Sequence, residues 1–475
     1  MSEFERTPPR RRRRRRRKKI NYPFFIFWGC VLLVILTLVA VLVSCSGSDE
    51  PDSGDPTPSH GDSVQNTPDS TDGTDLTTEP TTEPTEPPVT LVSTATVSAT
   101  GDMLMHMPCV RPAKNSDGTY NFEHYFSYLK DYVQQADYAV ANLETTLCGL
   151  DNGYEYSGYP NFNCPDGIVP SLQNVGFDML LTANNHCYDT RTKGYHRTQQ
   201  VLDEYGMDHT GTISSVDQPN YLVVDVNGIT LGMICYTYED NPDPNVVAPN
   251  GIAMSKDDKD LINAFNNEDL DSFYTRIEGQ IAEMEQAGAE AIVLYIHWGI
   301  EYQTTQNQTQ STIAQKMCDL GVDVIVGGHP HVIQPMELLT STTDESHKTV
   351  CLYSTGNALS NQRRDLMNLN TGHTEDGILF TFSFAKYSDG TVRVEQADLL
   401  PTWIEKHTSD ATGKVVYDVY PLDDEIEDWK TQLKLSDSGL KNAEASYERT
   451  MKIVGDGLAQ VQAHLSALPP IAEVS

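Results

Sequence analysis

Basic side chains are scarce after the first twenty residues. The chain has 33 Lys and Arg against 67 Asp and Glu, and 11 of the basic residues but only two of the acidic ones fall within residues 1–20. From residue 21 onward this leaves 22 basic and 65 acidic side chains. Because contacts to nucleic-acid phosphates need Lys and Arg, this balance argues against a nucleic-acid partner. It suits an extracellular domain with room for cation binding.

Paired cysteines at a regular spacing are also missing. The nine cysteines show no repeated Cys-x-x-Cys, so the sequence does not indicate a disulfide framework. Cys148 and Cys164 bracket a loop rich in Tyr and Gly, and the sequence leaves open whether they pair. We find no Walker-type or dinucleotide-binding loop, and no internal repeat outside residues 46–90.

Charge is absent from residues 24–43, FFIFWGCVLLVILTLVAVLV, which have the length of a membrane-spanning helix. The basic block before this run and the acidic sequence after it predict that the N-terminus lies inside and the rest outside. We therefore predict a cytoplasmic polybasic segment at 1–22 and a transmembrane anchor at 23–45. The tetrapeptide that ends at Cys45, Leu-Val-Ser-Cys, also resembles a bacterial lipobox, so cleavage and lipid attachment at Cys45 is the alternative.

Apolar side chains are nearly absent from residues 46–90, which include the near-repeat TTEPTTEPTEPP. Such a composition cannot bury a core, so we predict a disordered acidic linker rich in Pro, Thr and Ser. A globular pattern begins near residue 91. We predict the folded domain at 91–405 and a helical C-terminal appendage at 406–475.

Predicted strands alternate with predicted helices through the folded domain, which indicates a mainly parallel sheet with helices on both faces. One helix is predicted over 122–135 from its apolar spacing, and Asn227-Gly228 predicts a hairpin. The apolar run Val322 to Val326 predicts a buried strand, and Pro330 predicts an extended corner directly after it.

Five predicted strands end in a polar side chain. These ends are Asp102, Glu144, Asn185-His186, His297 and His329-Pro330-His331. Because the carboxyl ends of parallel strands meet at one edge of a sheet, we expect these groups to converge. Carboxylates, an amide and imidazoles together suit Mn²⁺, Zn²⁺ or Fe, and one shared carboxylate between imidazoles is typical of a two-metal hydrolytic centre.

Structural roles are the alternative for the same residues. Asp102 after a glycine would serve as a helix N-cap, and Asn185 with His186 would form a capped turn. His297 beside Trp298 would be a hydrogen-bonded core histidine. The convergence of five strand ends favours the metal site over these separate explanations.

Six motifs resemble the bacterial CapA-type poly-γ-glutamate capsule biosynthesis proteins, a branch of the calcineurin-like metallophosphoesterase superfamily. They are GDMLMH (101–106), ANLETTL (141–147), LTANNHCYDT (181–190), IHWGIEYQ (296–303), GVDVIVGGHPHVIQP (321–335) and YSTGNALSNQ (353–362). The resemblance covers roughly residues 94–400. It implies an α/β fold of the calcineurin-like metallophosphoesterase sandwich type, here preceded by one transmembrane helix and a disordered stalk.

The resemblance also implies roles for individual residues. The implied ligands of two divalent metal ions are Asp102, Glu144, Asn185, His297, His329 and His331, with Glu144 as the shared carboxylate. His186 is implied as the catalytic group that protonates or stabilises the leaving group. Supporting or less certain roles fall to His106, Asp189, Glu301 and Asn357. The family pattern Asp-x-His is broken because Leu104 stands two residues after Asp102, and His106 lies four residues after it.

These observations lead us to expect a protein of the bacterial cell membrane whose folded domain lies outside the cell. It is expected to make, export or process an anionic surface polymer, most directly poly-γ-glutamate, with that polymer or its synthase complex as partner. The hydrolytic alternative is a cell-surface phosphomonoesterase or phosphodiesterase. The non-catalytic alternative is a scaffold that holds the polymer or synthase partners.

Overall fold

Two sheets pack face to face, and most of their strands are buried along much of their length. The computed structural model describes residues 88–243, 245–369, 371–409 and 413–468. The predictions for 1–22 and 23–45, for Cys45, and for all but the last three residues of the 46–90 linker lie outside these ranges. No helix among the described residues has the length and apolar character needed to cross a membrane.

Fifteen strands are found in the described part of the chain. They are β1 (Leu91–Met103), β2 (Tyr138–Asn142), β3 (Met179–Leu181), β4 (Asp208–Thr210), β5 (Leu222–Val226), β6 (Ile229–Glu239), β7 (Ala264–Asn266), β8 (Ala291–His297), β9 (Val324–Gly328), β10 (Ile333–Thr340), β11 (Lys348–Thr355), β12 (Asn357–Leu359), β13 (Asp376–Tyr387), β14 (Val392–Thr408) and β15 (Val415–Pro421). The first sheet has the order β15-β14-β13-β1-β2-β3-β4, with β12 beside β1. The second has the order β10-β11-β9-β8-β6-β5, with β7 beside β6.

Eight α-helices are found among the described residues. They are α1 (Met107–Val110), α2 (Lys130–Val133), α3 (Ile168–Val175), α4 (Arg191–Tyr205), α5 (Leu270–Gln286), α6 (Gln308–Asp319), α7 (Trp429–Gln432) and α8 (Asp437–Ser466). The predicted hairpin at Asn227-Gly228 is confirmed, because β5 and β6 pair antiparallel across it.

The main core lies between the two sheets. Val97 and Phe382 of the first sheet belong to the same buried cluster as Val293 and Val326 of the second. The outer face of the first sheet packs against α3 and α4, and that of the second against α5 and α6. The order is therefore helix, sheet, sheet, helix, as expected for the sandwich. The pattern of strands and helices alone predicted a mainly parallel sheet with helices on both faces, and this prediction is wrong, because each sheet packs its second face against the other sheet.

Two local predictions also differ from the structure. Residues 122–135 do not form one helix: a 3₁₀ turn at Glu123–Phe126 is followed by the short α2. Within the segment predicted as a helical appendage, β15 pairs antiparallel with β14 and extends the first sheet. The long helix α8 adds Val454 and Leu458 to the main core.

Candidate metal centre

The carboxyl ends of five parallel strands deliver the polar side chains that the sequence singled out. β1, β2 and β3 run parallel to one another in the first sheet, and β8 runs parallel to β9 in the second. Asp102 lies in β1, and Glu144 follows β2 by two residues. The remaining groups are Asn185 and His186 after β3, His297 at the end of β8, and His329 and His331 after β9. Both sheets therefore contribute to one site.

Glu144 lies at the centre of this group and is fully buried. Its Oε1 is 3.7 Å from His297 Nε2, 3.8 Å from His331 Nε2 and 4.0 Å from His186 Nε2. Neither carboxylate oxygen has a hydrogen-bond partner among the described residues. Burial raises the pKa of Glu144 well above its usual value, and the negative charge of Asp102 adds to the shift. A buried carboxylate without a partner is costly unless a cation compensates it.

Asp102 and His331 lie on one side of Glu144. His331 Nδ1 is 3.0 Å from Asp102 Oδ2, and both side chains are buried. Asp102, Glu144 and His331 each offer a ligand atom, and these three atoms lie within 4.8 Å of one another. The three residues therefore form a possible metal-binding triad.

Asn185, His297 and His329 lie on the other side. Asn185 Oδ1 is 2.9 Å from His297 Nε2, and the ring centroids of His297 and His329 are 4.8 Å apart. His329 Nδ1 is buried and has no hydrogen-bond partner among the described residues. Burial lowers the pKa of both imidazoles well below the usual value, and neighbouring histidines lower it further. Neutral imidazoles beside an unpartnered carboxylate fit a divalent cation.

The tripeptide His329-Pro330-His331 takes a sharper path than predicted. His329 has φ of +92° and His331 has φ of +56°, so both lie in the left-handed region and not in an extended conformation. A non-glycine residue at such an angle typically stores about 1–3 kcal/mol and is found where function requires it. The corner turns both imidazoles toward the site, where His329 N–H also donates to Asp102 Oδ2 at 3.2 Å.

His186 forms a separate hydrogen-bonded group beside Glu144. Its Nδ1 is 2.8 Å from Asp189 Oδ2, and the Phe162 N–H donates to the same oxygen at 2.6 Å. Asn250 Nδ2 lies 3.4 Å from both His186 Nδ1 and Asp189 Oδ1. Asp189 thus holds the ring so that Nε2 faces the centre of the site, where a proton donor would act.

The remaining predicted residues lie around the site at different depths. Glu301 Oε1 is 4.0 Å from His331 Nε2, and its side chain is 43% exposed. Asn357 Nδ2 donates to the backbone oxygen of His331 at 3.2 Å. His106 Nδ1 lies 3.2 Å from the Leu104 oxygen and accepts from the Asn361 N–H at 3.3 Å. Burial lowers the pKa of His106 to about 4, and it has no place in the triad.

Three asparagines of the site were not among the predicted residues. Asn142 Nδ2 donates to Asp102 Oδ1 at 2.8 Å and lies 3.4 Å from His297 Nδ1. Asn184 Nδ2 donates to Asn142 Oδ1 at 3.1 Å, and Asn250 reaches His186 from a distant loop. Asn142 and Asn184 stand in the motifs ANLETTL and LTANNHCYDT, so their position beside predicted ligands was the available signal.

Cys148 and Cys164 are both buried free thiols. Burial raises the pKa of both thiols. The pairing that the sequence left open is therefore not formed in this structure.

The sequence model of the family described as bacterial capsule synthesis protein PGA_cap matches residues 96–362. This is more than half of the chain, and the chain belongs to that family. The match confirms the resemblance to CapA-type capsule biosynthesis proteins that the six motifs suggested. It covers every residue of the site described above.

Individual relatives agree with this assignment. The chain is 26% identical to the PGA biosynthesis protein CapA of Bacillus subtilis over 308 residues, which is 64% of this chain and 71% of the relative. It is 25% identical to the capsule biosynthesis protein CapA of Bacillus anthracis over 270 residues, 56% of this chain and 60% of that protein. A shorter similarity joins 38% of this chain to 28% of a 5'-nucleotidase from Diplobatis ommata, with 28% identity over 191 residues.

Proposed function

We propose that this chain is a membrane-anchored, extracytoplasmic protein that makes, exports or processes an anionic surface polymer through a divalent-metal hydrolytic site. The observation that carries the proposal is Glu144, a buried carboxylate that faces three imidazoles and has no hydrogen-bond partner in the part of the chain that the structure describes. The polymer we propose is poly-γ-glutamate, because relatives in the same family are named for PGA and capsule biosynthesis.

Two cations, of Mn, Zn or Fe, would share Glu144. Asn185, His297 and His329 would hold one of them, and Asp102 with His331 would hold the other. Divalent cations supply Lewis acidity at a phosphoryl or carbonyl centre when they are bound. Glu144 contributes the negative charge that both positions need.

His186 would donate a proton to the leaving group. Its Nε2 faces the centre of the site, and Asp189 accepts from Nδ1 at 2.8 Å. A carboxylate in this position stabilises the protonated imidazole and fixes its orientation, so Nε2–H can be donated to a departing oxygen or nitrogen. Phe162 and Asn250 hold Asp189 in place through their own hydrogen bonds.

Sequence features support the proposed location. The uncharged run at 24–43 and the acidic linker after it suit an anchor and a stalk, with lipid attachment at Cys45 as the second possible anchor. The acidic body disfavours direct contact with a polyanion, so cations or synthase partners would mediate polymer binding. Nucleic acid is not among the proposed partners.

Metal content tests the proposal directly. We expect the full-length chain to bind about two transition-metal ions, measured by elemental analysis after loading with Mn²⁺ or Zn²⁺. The double variant His329→Ala/His331→Ala should lose them. The matched control His209→Ala/His407→Ala removes two histidines that are not part of the site and that pair with Asp203 and Asp418, and it should keep both ions. A folded parent chain that binds no metal would leave the non-catalytic scaffold as the better function.

A phosphoesterase is the second candidate function. The observation that favours it is the similarity of 191 residues to a 5'-nucleotidase. We would screen the metal-loaded chain against phosphomonoesters and phosphodiesters. Turnover that is lost in His186→Ala at unchanged metal content would support this function over polymer processing.

A further inference from the structure

A cavity of about 220 Å³ lies at the carboxyl end of β4, which is the edge strand of the first sheet. Its walls come from the second half of α4, from the end of β4 and from residues 211–221, which lead to β5. The lining includes Gln199, Asp203, Thr210, Ile213, Asn220 and Tyr221, and none of the candidate metal ligands. Since a water molecule occupies about 30 Å³ of the liquid, the cavity has room for about seven waters or for one small molecule.

Two polar side chains in this lining are buried and lack a partner. Gln199 is 1% exposed and Thr210 is 3% exposed. Neither Gln199 Oε1 nor Thr210 Oγ1 has a hydrogen-bond partner among the described residues, although Gln199 Nε2 donates to the Tyr195 oxygen at 3.4 Å. Such atoms cost folding free energy, and native proteins keep few of them. Two of them in the wall of one cavity indicate a ligand that completes their hydrogen bonds.

A larger cavity, of about 840 Å³, lies between β14 and α8 and gives the contrast. None of the described residues that line it has a buried polar atom without a hydrogen-bond partner. Its size alone therefore carries no indication of a ligand. The smaller cavity differs because its wall contains hydrogen-bonding groups that the chain itself does not use.

The chemistry of the smaller cavity selects a neutral ligand that donates hydrogen bonds. An amide oxygen accepts only, and a hydroxyl can accept as well as donate, so the ligand must bring O–H or N–H groups. Among the described lining residues there is no Lys or Arg, and the one acid, Asp203, has a side chain that is 69% exposed. An anion has no cationic partner here, and a buried cation would lack a buried counter-charge. Ile213 and Tyr221 add the apolar surface that small-molecule sites also need.

Hydrogen bonds fix the walls of the cavity before any ligand binds. Asn220 accepts from the Gly211 N–H at 3.1 Å and donates from Nδ2 to the Gly211 oxygen at 3.3 Å. The Thr182 N–H donates to the Thr210 oxygen at 3.0 Å, and Thr212 Oγ1 donates to Thr182 Oγ1 at 2.8 Å. Both ends of the segment that encloses the cavity are therefore held in place. A preformed wall reduces the ordering cost that a small ligand has to overcome.

We propose that this cavity binds one neutral sugar unit, whose hydroxyl groups hydrogen-bond to Gln199 and Thr210. A sugar ring combines several O–H donors with apolar C–H faces and carries no charge, which matches both parts of the lining. This binding site is separate from the proposed metal centre and does not depend on it. A free monosaccharide and the end of a surface glycan present the same hydroxyl groups.

Ligand-observed saturation-transfer NMR on the full-length chain tests the proposal, in a detergent whose headgroup is not a sugar. The probes are glucose, galactose and N-acetylglucosamine, with cellobiose, lactose and chitobiose, which carry the same units at the end of a chain. We expect at least one monosaccharide to bind. Equal or tighter binding of its disaccharide would identify the end of a glycan as the ligand, and loss of binding would identify the free sugar. Glutamate and ethanolamine, as charged probes, should not bind.

The variant Gln199→Met/Thr210→Val keeps the approximate shape of both side chains and removes the two unpartnered oxygens. It should weaken sugar binding by about 10-fold or more, because two neutral hydrogen bonds to the ligand are lost. The matched control is Thr450→Val, which removes another buried hydroxyl without a partner, in α8 and outside the cavity. It should bind the sugar like the parent. Without sugar, both Thr→Val changes should leave the melting temperature unchanged or raise it, since no hydrogen bond within the chain is lost.

Three results would overturn the proposal. They are a parent chain that binds none of the sugars, a double variant that binds them as well as the parent, and preferential binding of glutamate or ethanolamine. A clear drop in the melting temperature of Thr210→Val, but not of Thr450→Val, would show that this hydroxyl serves the fold and would also count against a ligand. If the double variant does not fold, Thr210→Val alone gives the comparison, with an expected loss of about 2- to 10-fold in affinity.

Discussion

At the scale of single residues, two glycines beside the site leave room that a side chain would fill. A Cβ on Gly327 would lie 1.9 Å from the Tyr353 oxygen, and one on Gly328 would lie 3.0 Å from Asp102 Oδ1 and 3.6 Å from His297 Nδ1. Neither glycine has a positive φ, so close approach and not backbone conformation disfavours a side chain at these two positions. The two glycines allow the first sheet to bring Asp102 against the end of β9.

We expect Gly328→Ala to weaken metal binding. The added methyl group must push Asp102 or His297 aside by a few tenths of an ångström, and disturbed support of a ligand typically weakens affinity by about 10-fold or more. Competition with a chelator measures this change. The control Gly279→Ala lies in α5 with nothing within 4 Å of the added atom, and it should bind metal like the parent. Equal affinities in both variants would contradict the role of Gly328.

We expect His186→Gln to reduce turnover by about 10²- to 10⁴-fold, the usual contribution of a positioned proton donor, while metal content stays unchanged. The loss should be small for a substrate with an acidic leaving group such as p-nitrophenol, because that group needs no proton. Rates on both kinds of substrate give the measurement. His209→Gln, which removes a histidine that pairs with Asp203, is the control and should leave both rates unchanged. A uniform loss on both substrates would argue against proton donation.

At the scale of elements, α8 is part of the main core and of an ionic network. Val454, Leu458, Val461 and Leu465 of this helix pack into the cluster between the sheets. Arg449 donates to both oxygens of the buried Asp376 at 2.9 and 2.7 Å, and Ser446 donates to it at 2.6 Å. Asp376 begins β13. Two residues earlier, the Thr374 oxygen accepts from Asn357 Nδ2 at 3.0 Å, and Thr374 Oγ1 donates to the Gln362 oxygen at 2.7 Å. The helix α8 therefore fixes the start of β13, which lies next to the segment that contains Asn357.

Two glycines of α8 provide a matched test of this packing. A Cβ on Gly457 would lie 2.0 Å from the Met336 oxygen in β10, whereas one on Gly455 would meet nothing closer than 3.9 Å. We expect Gly455→Ala to be neutral or stabilising by up to about 1 kcal/mol through helix propensity. Gly457→Ala should destabilise by about 1–3 kcal/mol because the helix must move away from the sheet. Denaturant unfolding followed by circular dichroism distinguishes them, and equal stabilities would contradict close docking of α8.

At the scale of the whole molecule, the site makes stability depend on both pH and cations. Without metal, the raised pKa of Glu144 favours the fold at low pH, and that contribution is lost as the pH rises through the folded value. His297 and His329 have lowered pKa values, so their contribution is present above about 6.5 and is lost as the pH falls and the unfolded chain takes up protons. The metal-free protein should therefore lose stability both when the pH is raised and when it is lowered.

We therefore expect the stabilisation by Mn²⁺ to grow between pH 6 and pH 8. The cation compensates the ionised Glu144 and does not have to displace its proton at the higher pH. Melting temperatures in excess Mn²⁺ and in a chelator, measured at both pH values, give the difference. The variant His329→Ala/His331→Ala should show no such growth. A Mn²⁺ effect that shrinks toward pH 8 would contradict the assignment of Glu144 as a ligand.

The residues of the site could be predicted because local sequence marks where each strand ends. The β-rich run before Asp102 and the apolar runs before His297 and His329 marked where each strand stops, and parallel strands bring such ends together. The amides of Asn142, Asn184 and Asn250 were missed because their roles depend on neighbours far away in the chain. The second sheet followed only from the family resemblance and not from the strand pattern, because a strand buried on both faces has the same pattern under a helix or under another sheet. The left-handed corner at His329 was missed because the proline after it disfavours helix without specifying φ.

The two sheets meet at the candidate metal centre, and neither carries all of the candidate ligands. Asp102, Glu144 and Asn185 come from the first sheet, and His297, His329 and His331 come from the second. A cation held by both sets can be captured only after the separate halves of the chain have folded and closed on each other. Cation binding would then require that the two sheets have already packed together, so a half-folded chain would bind no cation at this site.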